Sequence, residues 1–364
     1  GNMVGWHKLL CHGRRHVSGL QTAMISCSLA TTRASISALL TVITSIAPVL
    51  ASGSMAARVA VTRLSRTKAC APPLMVLTAV APPPLKAVLL LPASIGLATT
   101  ATAQTPAPLR TEVVARGLQN PWGIAFIDGG RLLVTERPGR LRVVQPDGRV
   151  GEPVAGVPSV EAAGQGGLLD VAADRDFARN RQVYLCYSEP GPGGNSTALA
   201  RARLSVDAAR LEEVKVIFSQ QPKVASRLHF GCRIAEAPDG ALFLTLGDRY
   251  HRMQDAQTLD NHHGKVVRIR KDGTVPPDNP FVNRAGARPE IWSLGHRNVQ
   301  GAAIGPDGRL WTGEHGPQGG DEINRTEAGR NHGWPVITYG ENYGGGAIGE
   351  GITKKAGMEQ PLHQ

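Results

Sequence analysis

The chain has 364 residues, enough for one large core or two ordinary ones, and carries a formal charge of +11. No Asp or Glu occurs before Glu112, and residues 1–111 hold ten of the 40 Lys and Arg. The other 30 basic residues face 29 acidic ones, so the remainder is nearly neutral, offers no broad phosphate-binding face and excludes a nucleic-acid partner.

The first hundred residues are rich in Ala, Ser, Thr, Leu and Pro, contain no Phe or Tyr, and follow neither a helical nor a strand period. Residues 1–74 are expected to be disordered or to arise from upstream translation, with Met75 as a sensible start. Lys86, the apolar run Ala87-Val-Leu-Leu-Leu-Pro-Ala-Ser-Ile-Gly-Leu-Ala98 and Ala101-Thr-Ala103 then make a signal peptide over 75–103. The run is too short to span a membrane, so the expected location is periplasmic or secreted, without stable membrane insertion. Beyond it only Cys186 and Cys232 remain, in neither a C-x-x-C nor a C-x-x-H arrangement. They read as two half-buried thiols, with a disulfide between them left open. Asn195-Ser-Thr197 fits a glycosylation sequon, which the bacterial-style leader makes a chance match.

From Gln104 the texture changes to short β-like runs between Gly, Pro, Asp and Asn turns, so residues 104–364 form the expected all-β domain. One pattern recurs with starts at Gly123, Asp170, Arg233 and Gly301, as in Arg233-Ile-Ala-Glu-Ala-Pro-Asp-Gly-Ala-Leu-Phe-Leu-Thr-Leu-Gly-Asp248. Each copy is a strand, a tight Asp-Gly-type turn, expected to be a two-residue hairpin turn, and a second strand ending in polar residues. Spacings of 47, 63 and 68 residues suit four-stranded blades with inserted loops, and the architecture expected is a β-propeller of about four blades, with a β-sandwich as the alternative. The polar strand ends should then gather on one face around the central channel. His229, on a turn in Ser226-Arg-Leu-His-Phe-Gly-Cys-Arg-Ile234, with Asp248 past the next strand, is a candidate oriented general base.

Several segments in order resemble the soluble, pyrroloquinoline-quinone (PQQ)-dependent aldose sugar dehydrogenases, the glucose/sorbosone dehydrogenase family. They include Leu118-Gln-Asn-Pro-Trp-Gly-Ile-Ala-Phe126, Gly164-Gln-Gly-Gly-Leu-Leu-Asp170, His229-Phe-Gly, Leu294-Gly-His-Arg-Asn-Val-Gln-Gly301, Gly313-Glu-His-Gly-Pro-Gln-Gly-Gly-Asp-Glu-Ile-Asn324 and Asn331-His-Gly-Trp-Pro335, and the likeness covers roughly 108–362. The resemblance implies a six-bladed propeller that oxidises an aldose to a lactone and passes the electrons through PQQ to an external acceptor. By it His229 is the base, Asp248 orients its ring, and Arg297 holds the quinone oxygen as charge develops. Gln165, Asn298 and Tyr343 join Arg297 as cofactor contacts. The carbonyls of Gly316 and Pro317 bind the Ca2+ that sits against the quinone, and Glu322 with His332 resembles a second calcium site, although tyrosine is usual at the latter position.

Leu228 and Cys232 also depart from the family pattern, at positions usually polar and small. The family continues for two more blades beyond the segment matching Gly357-Met-Glu-Gln-Pro361, so the chain reads as C-terminally truncated, a fragment of an enzyme. Two other readings stand beside the dehydrogenase: a calcium-dependent lactonase on a similar propeller, and a non-catalytic carbohydrate- or protein-binding propeller. No Rossmann fingerprint for nicotinamide is present.

Overall fold

Many of the inner strands are buried on both faces, and the fold follows from that. The computed structural model describes residues 109–364 and, as backbone, 58–63 and 74–79. Four antiparallel sheets follow one another along the chain. After β1 (Arg58–Arg63), β2 (Leu74–Ala79) and β3 (Arg110–Arg116), the first holds β4 (Pro121–Phe126), β5 (Leu132–Glu136), β6 (Arg140–Val144) and β7 (Val150–Pro153). The second holds β8 (Leu168–Ala173), β9 (Gln182–Gly191), β10 (Gly194–Leu204) and β11 (Leu211–Ser219), with the single helical turn α1 (Phe177–Asn180) between β8 and β9. The third holds β12 (Gly231–Glu236), β13 (Leu242–Leu246), β14 (Lys265–Ile269) and β15 (Ile291–Leu294). The fourth holds β16 (Val299–Ile304), β17 (Leu310–Glu314) and β18 (Glu322–Thr326).

In every sheet the strands pair in chain order, and the first strands β4, β8, β12 and β16 pack side by side. This is a four-blade propeller arrangement, all-β as expected. Each sequence repeat supplies the first two strands of one blade.

The period of two along a strand sends alternate residues to opposite blade interfaces. On β13, Leu242, Leu244 and Leu246 pack toward the second blade with Leu199, Phe230 and Val267, while Phe243 packs toward the fourth with Ala302 and Leu310. On β9, Leu185 lies in the core between the first two blades and Tyr184 and Cys186 in the next. A strand buried on both sides reads as an unbroken apolar run, and Leu242-Phe-Leu-Thr-Leu246 is one.

Two expectations need correcting. The Asp-Gly turns are longer than two residues: β12 ends at Glu236 and β13 begins at Leu242. Only Gly240 takes a positive φ there, and Asp239 caps the turn by accepting the Ala241 N–H at 3.0 Å, a device repeated by Asp307 and Arg309 at 3.1 Å. The cysteines are not half-buried thiols. Cys186 on β9 and Cys232 on β12 form a fully buried disulfide between the second and third blades. Their bond depends on blade stacking, which no local motif encodes.

Ahead of the first blade, β1 (Arg58–Arg63), β2 (Leu74–Ala79) and β3 (Arg110–Arg116) form an antiparallel three-stranded sheet. Thus two stretches of the segment expected to lack structure or to begin the leader are extended, and β2 pairs along an edge of β3 that would otherwise be open. The rest of the proposed leader, 80–103, lies outside the described residues. Among the described residues no helix is long and apolar enough to cross a membrane.

Candidate functional site

In an antiparallel hairpin the start of the first strand and the end of the second lie at the same edge. The propeller uses that edge four times, pairing Pro121 with Glu136, Leu168 with Tyr187, Gly231 with Leu246 and Val299 with Glu314. Gln165, His229 and Arg297-Asn298 immediately precede β8, β12 and β16. Asp248 and Gly316-Pro317 follow β13 and β17. Blade geometry alone therefore brings residues as far apart in sequence as Gln165 and Pro317 to one end.

His229 is buried, with a left-handed backbone at φ 52°. Its Nδ1 lies 2.6 Å from Asp248 Oδ1, and its backbone N–H donates to Gln165 Oε1 at 2.7 Å. Asp248 is fully buried and accepts two further bonds, from the Tyr250 N–H at 2.7 Å and the Trp334 indole N–H at 2.7 Å. A carboxylate so surrounded by donors stays an acceptor, which makes Nδ1 of His229 the protonated nitrogen and leaves Nε2 its lone pair. Burial pushes the imidazole below its usual range. Asp248 opposes the shift, and the charges of Arg297 and His315 deepen it. At neutral pH the ring is a neutral, oriented base.

Arg297 is buried on the neighbouring blade. Its Nη1 donates to the His315 carbonyl at 2.9 Å, its Nη2 to the Tyr343 hydroxyl at 3.3 Å, and the guanidinium lies 5.4 Å from the Trp334 ring centroid. Among the described residues it forms no salt bridge. A buried guanidinium without a carboxylate is costly unless an anionic group completes it. Asn298 spends Oδ1 on the Gly231 N–H at 3.0 Å, which ties the third blade to the fourth just behind His229. Tyr343 is well exposed at the rim.

Gly316 donates its N–H to Asp321 at 2.9 Å, and a β-carbon there would overlap the backbone of Gly319 and Gly320. Among the described residues the carbonyl oxygens of Gly316 and Pro317 accept no hydrogen bond, and such oxygens suit a hard cation. Glu322 and His332 are joined by no hydrogen bond. Glu322 is the cross-strand neighbour of Glu314, and burial, then repulsion from Glu314, raises its carboxyl. His332 stacks on His296 at 4.5 Å with both ring nitrogens buried and unpartnered, and burial holds it well below the usual imidazole range.

Some residues went unrecognised in the sequence. Trp334 joins Asp248 to Arg297, and its only signal was its place in Asn331-His-Gly-Trp-Pro335. Glu314 accepts from the Arg297 N–H at 2.8 Å and from His296 at 2.9 Å. Arg249, fully buried over the Phe230 ring, donates to the Ser226 carbonyl at 2.8 Å and to Asn195. Asn195 is therefore buried and engaged, unlike a glycosylation acceptor.

The four-blade propeller thus gathers at one edge a histidine–carboxylate pair and an arginine that, among the described residues, makes no salt bridge. The glucose/sorbosone dehydrogenase family profile matches residues 118–364, and the chain belongs to that family. It is 45% identical over 261 residues to the aldose sugar dehydrogenase YliI of Escherichia coli strain K12, covering 71% of this chain and 70% of that protein. Among solved structures, a crystal structure of a glucose dehydrogenase shares 51% identity with a TM-score of 0.65, over 68% of this chain and 72% of the other. The PQQ-bound form of the aldose sugar dehydrogenase from Streptomyces coelicolor shares 32% identity with a TM-score of 0.58, over 69% of each chain.

Proposed function

We propose that the protein oxidises aldose sugars at the anomeric carbon to lactones, using PQQ and Ca2+ and passing two electrons to an external acceptor, in the periplasm or outside the cell. The observation that carries this reading is the neutral, carboxylate-oriented His229 on one blade beside the buried, unpaired Arg297 on the next. His229 Nε2 takes the proton of the anomeric hydroxyl, and Asp248 stabilises the imidazolium that forms. Trp334 and Tyr250 donate to the carboxylate and fix its orientation toward the imidazole.

Arg297, Asn298, Gln165 and Tyr343 would hold the quinone, and the Gly316 and Pro317 carbonyls the cation. Bound there, they would supply a two-electron sink and Lewis-acid polarisation. The guanidinium, which makes no salt bridge among the described residues, and the free carbonyls fit those groups. For the second position, at Glu322 and His332, the donor set is poorer, because a hard cation prefers oxygen to the imidazole nitrogens of His332. The disulfide supports an oxidising compartment.

Purified protein supplied with Ca2+ and PQQ should reduce a redox dye when given glucose or other aldoses. Lactone hydrolysis without dye reduction would turn the assignment to a lactonase, and neither activity to a binding propeller. His229→Gln should abolish turnover while keeping the cofactor absorbance; unchanged turnover would remove His229 as the base.

A further inference from the structure

All four first strands carry a bulge of one extra residue near the edge that holds the site, with the shifts falling between Pro121 and Ile124, Leu168 and Asp170, Gly231 and Ile234, and Val299 and Gly301. The residues at equivalent places are Trp122, Leu169, Cys232 and Gln300. Only Cys232 has a positive φ, at 75°, and it follows His229 at 52° and Gly231 at 65°. Glycine takes such backbone freely; the other two are strained there, and strain of this kind persists only where the surroundings impose it. Each residue of the run is held. Gln165 accepts the His229 N–H at 2.7 Å, Thr197 donates to the Phe230 carbonyl at 2.6 Å, and Asn298 accepts the Gly231 N–H at 3.0 Å. Cys232 is held by its covalent bond to Cys186 on the adjacent blade.

We infer that the Cys186–Cys232 disulfide is a positioning strap for His229: it pins the left-handed Cys232 and thereby fixes the turn that aims the imidazole at Asp248. This rests on His229 as the base. Without the bond Cys232 relaxes toward ordinary strand geometry, as Trp122 and Leu169 do, and the change is passed through Gly231 and Phe230 to His229. A disulfide that only restrained the unfolded chain would leave the folded site unaltered.

The test uses Cys186→Ala and the double variant Cys186→Ala/Cys232→Gly, which lacks the bond but accepts a positive φ. Two readouts are followed: dye-linked kinetics, and the low-field proton NMR signal of His229 Nδ1–H bonded to Asp248, identified by its loss in His229→Gln. In Cys186→Ala, kcat should fall on the order of 10²-fold, as expected for a small misplacement of a catalytic group, with the low-field signal broadened or lost. The double variant should recover kcat to within about threefold and regain the signal, because glycine needs no strap, although it melts no higher than the single variant. Mild reduction of the folded wild type, checked by alkylation and mass mapping, should reproduce the single variant and covers the case in which that variant does not fold. An intact signal and kcat after loss of the bond would overturn the inference. So would a double variant as impaired as the single one, or alkylation of both cysteines in unreduced protein. If the wild type reduces no dye, the dehydrogenase assignment fails and the NMR arm still decides whether the strap holds His229.

Discussion

Replacing Asp248 with Asn changes the size of one side chain hardly at all and the chemistry of its site completely. The carboxylate accepts three donors: His229 Nδ1 at 2.6 Å and the Tyr250 N–H at 2.7 Å on Oδ1, and the Trp334 indole at 2.7 Å on Oδ2. An asparagine satisfies only one side. With its oxygen toward His229 and Tyr250, its NH2 meets the Trp334 N–H, donor against donor, and an unsatisfied buried group costs about 1–3 kcal/mol. With the amide flipped, the NH2 faces His229, Nδ1 becomes the acceptor, and the proton moves to Nε2, the nitrogen that must act as base. Tautomer inversion of this kind in an acyl-transfer triad lowers kcat about 10⁴-fold, or roughly 5 kcal/mol at about 1.36 kcal/mol per decade. The expectation for Asp248→Asn is thus a loss of kcat between about 10³- and 10⁴-fold, with KM for the sugar little changed. The pH profile adds a sign. Burial lowers His229 and Asp248 raises it, so removing the charge carries the imidazole lower still, and the acid limb of the residual kcat should move to lower pH. Dye-linked kinetics across pH, with cofactor absorbance as the binding control, measures both. A variant within about tenfold of wild type, with an unmoved acid limb, would refute the orienting role.

Two further outcomes follow from the same packing. Burial pushes His296 down to about 3, whereas an unfolded histidine takes its proton near 6.5, so the unfolded state binds more protons between those values. The stability that His296 confers by staying neutral is present above about 6.5 and drains away as the pH falls toward about 3; urea midpoints for wild type and His296→Gln should converge on acidification, and a pH-independent gap would contradict this. Gly247 needs no positive φ, yet a β-carbon there would overlap the backbone carbonyl of His229. Gly247→Ala should therefore lower the melting temperature and abolish turnover together, and a folded, active variant would show that the His229 backbone has room to shift.

The blades were legible because their strands are buried on both faces, which leaves continuous apolar runs such as Leu242-Phe-Leu-Thr-Leu246 punctuated by Asp-Gly. His229 and Asp248 were legible because one hairpin carries both, and the hairpin repeats. What escaped depends on contacts between blades. Trp334 reaches Asp248 across 86 positions, and Cys186 meets Cys232 across 46, each only after separate sheets have stacked. Turn length escaped for a different reason: Asp-Gly also suits a five-residue turn in which Asp caps the chain and Gly alone takes the positive φ.

That division explains how the site is made stiff. Gln165, His229, Asp248, Arg297 and Asn298 lie just before a strand start or just past a strand end, where backbone pairing is finishing and local order is weakest. Inter-blade bonds replace what the strands no longer supply: Asn298 to Gly231, Gln165 to His229, Trp334 to Asp248, and the disulfide. Each joins an element of one blade to the end of another, and each ends on His229, on Asp248 or within three residues of the base. The blades can therefore share a common scaffold and still hold a general base to the tolerance that proton transfer demands. Loosening any one tie should damage the chemistry before it unfolds the sheet that carries it.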